Sequence, residues 1–240
     1  MKVMTKAIFT IGLLALLMVV PAFGSVNKSV KIDAGSESSG ASSVNGSITV
    51  GSDAVVTGDV QTVNGSIRVG SGASIEDAET VNGGVKIASN VRSESLTTVN
   101  GAVSVGEAST VDGEIEAVNG GISVDTGSKI AKSVSNVNGK IELSGAEVGG
   151  DVATVTGSIE VMDGTLVKGD LIVEKPNNWG WGNKKNRKPR IVIGPGSTIE
   201  GVIKLEHEVE LYVSTTASVG GVSGVMSMDD AVRFSGKHPD

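Results

Sequence analysis

Cysteine is absent from the 240-residue sequence, so neither a disulfide framework nor the thiol of a lipoprotein anchor is available. Aromatic residues make up only 2%. An enzyme of this length ordinarily gathers several Phe, Tyr and Trp in its core, whereas here valine and isoleucine must fill the interior alone. Such a core is narrow. Histidine is nearly absent too: His207 lies among Glu206, Glu208 and Glu210, His238 lies in the tail, and neither has a partner at ligand spacing. Strand alternation puts His207 on the face opposite Glu206 and Glu208, which predicts a solvated strand and no metal. No cofactor is implied.

Basic charge is also scarce, and part of it belongs to the leader. Lys2 and Lys6 precede an apolar run from Ala7 to Val20, and Ala22-Phe23-Gly24 follows Pro21, the layout of a signal peptide over 1–24 with cleavage before Ser25. The run is too short for a comfortable membrane span. The mature chain then carries 18 Lys+Arg against 27 Asp+Glu, a net charge of −9. That surface argues against nucleic acid as a partner.

What the chain has in abundance is glycine, 34 residues of it, placed periodically. Val-Asn-Gly recurs at Val44, Val63, Val81, Val99, Val118 and Val137, with Val155-Thr156-Gly157 as a variant, at spacings of 19, 18, 18, 19, 19 and 18. Val26-Asn27-Lys28 reads as a degenerate first copy. A second motif, aliphatic-x-Gly-acid-aliphatic, keeps the same period in Val56-Thr57-Gly58-Asp59-Val60, Val111-Asp112-Gly113-Glu114-Ile115 and Val167-Lys168-Gly169-Asp170-Leu171. Between them, Ile48-Thr49-Val50, Ile67-Arg68-Val69, Val103-Ser104-Val105 and Ile122-Ser123-Val124 alternate apolar and polar residues, as strands with one buried face must.

Short strands at a period near eighteen predict an all-β, single-stranded β-solenoid, a triangular parallel β-helix of about ten coils of 18–19 residues stacked about 4.8 Å apart. Asn-Gly at each corner suggests positive φ. Stacking brings Asn45, Asn64, Asn82, Asn100, Asn119 and Asn138 into a coil-to-coil amide ladder, read as structural in preference to a binding rank. Thr62, Thr80, Thr98 and Thr154 would form an outward rank of hydroxyls. An ice-binding array is disfavoured, because the rank fails at Ala117 and Asn136.

The coils run over 25–173 and resume over 191–224, where Ile191-Val192-Ile193-Gly194 and Ile199-Glu200-Gly201-Val202-Ile203 reproduce the earlier spacing; 225–240 is a tail or cap. Residues 174–190 form a loop inserted at a Val-Asn-Gly corner. It holds Trp179, Trp181, Lys184, Lys185, Arg187, Lys188 and Arg190, a candidate surface for an envelope glycan, an anionic lipid or an acidic protein. Catalysis is not indicated: acids such as Asp59 and Asp151 repeat with the corners, whereas a catalytic cluster is local and singular. No Gly-Gly-x-Gly-x-Asp calcium repeat occurs.

Thr62-Val63-Asn64-Gly65-Ser66-Ile67-Arg68-Val69 and its copies resemble the bacterial exported β-strand-repeat adhesin family, and the aliphatic-x-Gly-Asp-aliphatic units are similar to bactofilins, polymer-forming scaffolds. The bactofilin resemblance implies a right-handed helix and self-association; the leader and the Trp-containing basic loop depart from it. The function expected is therefore non-enzymatic: an exported envelope scaffold or adhesin-like protein, periplasmic or at the cell surface, with end-to-end pairing of terminal strands as one variant. The alternative is a carbohydrate-binding or polysaccharide-acting β-helix that uses the 174–190 loop.

Overall fold

The computed structural model describes residues 26–176 and 188–239. The signal peptide expected over 1–24 lies outside them. Every strand pairing is parallel, and the chain visits three sheets in turn, forming a β-solenoid of about ten coils. Sheet I has eleven strands, from Val30–Ile32 to Val232–Phe234. Sheet II is made of two-residue strands, with Glu37–Ser38 and Val55–Val56 joined through Ser74 to a seven-stranded run from Arg92–Ser93 to Ser218–Val219. Sheet III has ten strands, from Ala41–Ser43 to Val222–Gly224.

Register follows the sequence period. Ile122 lies over Val103 and under Ile141, Ile130 over Val111, and Ile115 over Leu96, so like stacks on like around a continuous aliphatic interior. Each strand is too short to be stable alone. Stacking supplies the missing neighbours and pairs the edges.

At the register position of the second motif's acid, three aspartates act between coils. Asp151 Oδ1 accepts the Asp170 N–H at 2.8 Å, Asp170 Oδ1 accepts the Val202 N–H at 2.8 Å, and Asp77 Oδ1 accepts the Ser95 N–H at 3.0 Å. Each carboxylate thus satisfies a backbone donor of the coil above, at a turn where the ladder is interrupted.

The Thr rank points inward. Thr62, Thr80, Thr98 and Thr154 are at most 1% exposed, and the valines that follow Thr62, Thr80 and Thr98 stand half-buried on the outer face. The expectation of outward hydroxyls is therefore reversed, for a physical reason: Thr62, Thr80 and Thr98 Oγ1 each donate at 2.8 Å to the carbonyl of a corner glycine one coil below, Gly46, Gly65 and Gly83. A buried carbonyl without a partner is costly, and the hydroxyl removes that cost. The same column is apolar at Ala117, and again at Val173 and Leu205.

Two buried hydroxyls give opposite expectations. Thr98→Val, nearly isosteric, should cost about 1–2 kcal/mol because it strands the Gly83 carbonyl. Ser93 Oγ is buried with no partner among the described residues, so Ser93→Ala should leave stability unchanged or raise it by up to about 1 kcal/mol. Urea unfolding of the two variants checks the pair, and equal destabilisation would contradict it.

The C-terminal end of the solenoid is covered. After Gly224 the chain crosses the last coil, where Met226, Met228 and Ala231 pack against the core, and Met226 Sδ accepts the Val209 N–H at 3.4 Å. A 3₁₀ turn over Met228–Asp230, closed by Ser227 and Asp230, leads into Val232–Phe234, the last strand of sheet I.

Candidate functional site

Five of the six asparagines placed in the ladder form amide rungs from coil to coil. Asn45, Asn64, Asn82, Asn100 and Asn119 each donate Nδ2–H to the Oδ1 of the asparagine one coil below, at 2.8, 2.8, 2.8, 3.0 and 3.2 Å, beginning on Asn27 of the degenerate first copy. Asn138 keeps the backbone register over Asn119. The ladder absorbs one donor and one acceptor of each internal rung in the fold itself.

The insertion departs from one corner and changes the corners around it. Glu174 N–H still donates to Thr154 O at 2.9 Å, but Lys175 N–H turns to Glu206 Oε2 at 3.0 Å. In the regular corners the valine carbonyl accepts the next coil's amide, as Val137 O does from Thr156 at 2.9 Å. Val155 O loses that partner. His207 Nε2 lies 3.2 Å from it and, since a carbonyl only accepts, donates its proton there. The imidazole thus repairs the break, and His207 is partly buried, where the sequence predicted a solvated strand. Among the described residues no group of three or more His, Asp or Glu is placed to hold a metal ion.

Of the seven loop residues singled out in the sequence, Trp179, Trp181, Lys184, Lys185 and Arg187 lie outside the described residues. Lys188 and Arg190 are engaged within the chain. Lys188 pairs with Glu208 at 2.7 Å, and that hydrogen bond holds the ammonium above its ordinary pKa and the carboxylate below its own. Arg190 stacks on the Tyr212 ring, 4.8 Å from its centroid, and reaches Pro239 O at 3.4 Å. These contacts brace the loop's return against the C-terminal tail. Glu174, at the loop's departure, has its carboxyl pushed up by burial and by Glu206.

Arg190 and Tyr212 border an outer apolar cluster of Met162, Val192 and Phe234 that sequence reasoning missed. Two shallow grooves flank it, of about 210 and 290 Å³, the smaller lined by Glu160, Arg190, Val192, His238 and Pro239. The larger is lined by Tyr212, Arg233, Phe234, Ser235, His238 and Pro239 among others, and among the described residues no hydrogen bond joins Ser235 to His238.

The most perturbed acid lies elsewhere. Glu116 stands between Thr97 and Ser135 on the outer side of sheet III and is only 7% exposed. Burial, and then the Glu114 carboxylate, pushes its carboxyl from 4.5 up to about 7. Because the folded pKa is raised, the fold favours the protonated acid, and stability falls as pH rises from 4.5 through about 7. The loss should be on the order of 2–3 kcal/mol. Glu116→Gln should flatten the melting temperature over that window, and a variant that keeps the wild-type slope would refute the assignment.

No family model, no curated protein and no solved structure matches this chain.

Proposed function

We propose that the chain is an exported, non-enzymatic scaffold or adhesin-like structural protein of the cell envelope, in the manner of the strand-repeat adhesins and bactofilins its repeats resemble. The observation that carries this reading is uniformity: the same three-sheet coil recurs from end to end in parallel register, and the polar groups of its corners, the Asn ladder and the inward Thr62, Thr80 and Thr98, are spent on holding coil to coil. A surface built by repetition suits extended contact. Fractionation of cells expressing the full chain tests it. The protein should lose residues 1–24 and remain with the envelope; cytoplasmic retention of the uncleaved chain would end the proposal.

A second reading is favoured by one observation, the insertion of a Trp-containing basic segment at a single corner whose broken ladder His207 repairs. On that reading the loop binds an envelope glycan, with or without turnover. Glycan-array binding should then disappear in Trp179→Ala/Trp181→Ala, and unchanged binding would remove the loop from consideration.

A further inference from the structure

Strand register orders the outward residues of sheet I into a column whose central stretch, between Lys31 and Thr49 below and Val192 and Tyr212 above, runs Arg68, Lys86, Ser104, Ser123, Glu142, Glu160. That stretch is two cations, two hydroxyls and two carboxylates, at steps of about 4.8 Å. Arg68 and Lys86 are exposed and, among the described residues, form no ion pair. Glu142 and Glu160 share a single ammonium, that of Lys140, at 3.1 and 2.8 Å, which leaves a carboxylate in excess. The two serines between them are small and lie 3.3 Å apart, Oγ to Oγ.

This stretch complements its own reversal. A two-fold axis lying between two such faces, along the strands and midway between Ser104 and Ser123, sets Arg68 of one copy against Glu160 of the other, Lys86 against Glu142, and Ser104 against Ser123. An isologous contact needs this self-complementarity. No other partner is so closely specified: a polyanion would meet the two cations but also the two carboxylates and a strongly acidic protein. The covered C-terminal end also disfavours head-to-tail stacking and leaves the side of the solenoid as the natural contact. His238 and Pro239 of the tail line the groove beside Glu160, so the contact rests most on the Lys86–Glu142 and Ser104–Ser123 pairs nearer the axis.

We infer that sheet I is the contact face between two antiparallel copies of this chain. The inference deepens the self-associating branch of the scaffold reading and rests on it for its biological purpose, not for its geometry. Sedimentation and light scattering of the purified mature protein test it. The wild type should dimerise at low ionic strength and dissociate as salt screens the pairs. Arg68→Glu/Lys86→Glu and Glu142→Lys/Glu160→Lys should each weaken association by at least about tenfold, that is, about 1.4 kcal/mol, without losing the fold by circular dichroism. An equimolar mixture of the two should recover dimers, because each reversed pair then meets its complement.

A wild type that stays monomeric at high concentration and low salt overturns the inference, as does a mixture that fails to recover dimers or variants that associate unchanged. Binding of heparin by a monomeric wild type, lost in Arg68→Glu/Lys86→Glu, would assign the face to a polyanion instead. Fractionation of the monomeric variants tests the envelope role separately, so either proposal can fail without the other.

Discussion

Ile122→Asp is expected to abolish the cooperative unfolding transition, with the coils on either side of residue 122 becoming sensitive to protease under conditions where the wild type resists. Ile122 is 1% exposed and sits between Val103 and Ile141 in the interior. A carboxylate placed there has no cation in the aliphatic column to pair with and must either ionise unpaired or take up a proton; either choice costs several kcal/mol. Ile122→Val, which removes one methylene from the same site, should cost only about 1 kcal/mol. Total stability of a domain is about 5–15 kcal/mol, so the first variant removes a large part of it and the second does not. In a stacked array the damage spreads to nearest neighbours first, because each coil contacts only the coils above and below. A wild-type melting curve for Ile122→Asp would mean that the inner face has been misassigned.

The strands were legible because alternation within Ile48-Thr49-Val50 and its copies states which side is buried, and the period states what lies above it. The phase of the corner was not. In Ala78–Asn82 the inward residues are Ala78 and Thr80 and the outward ones Glu79 and Val81, so hydrophobicity alone points the wrong way at Thr-Val. What decides is a carbonyl one coil away, and no property of Thr80 itself announces that Gly65 O needs a donor. The loop's surroundings were unreadable for a similar reason. Lys188 and Arg190 were recognisable as cations, but Glu208, Tyr212 and Pro239 reach them only because the insertion returns beside the tail. Val232–Phe234 carries no trace of the repeat, and its pairing with Tyr212–Ser214 depends on the crossing of the last coil.

The corner glycine separates two explanations that the sequence alone could not. Asn-Gly suggested positive φ, yet of the Val-Asn-Gly corners only Gly139 has it, at +127°, and none of the ladder asparagines does. The requirement is space: a Cβ on Gly101 would lie 2.0 Å from Gly83 O, and one on Gly83 would lie 1.9 Å from Gly65 O. Gly83 O cannot yield freely, since Thr98 Oγ1 holds it at 2.8 Å and the Asn100–Asn82 rung lies alongside. Gly101→Ala must therefore push two coils apart at the corner, and the expected cost is about 3 kcal/mol, at the upper end of overpacking. Gly164 supplies the contrast, with φ +76° and no atom within 4 Å of its added Cβ. Gly164→Ala should cost only the roughly 1 kcal/mol of backbone strain. Urea midpoints for the two variants decide between the explanations: if corner glycine serves conformation, Gly164→Ala is the more damaging, and if it serves stacking, Gly101→Ala is, by about 2 kcal/mol.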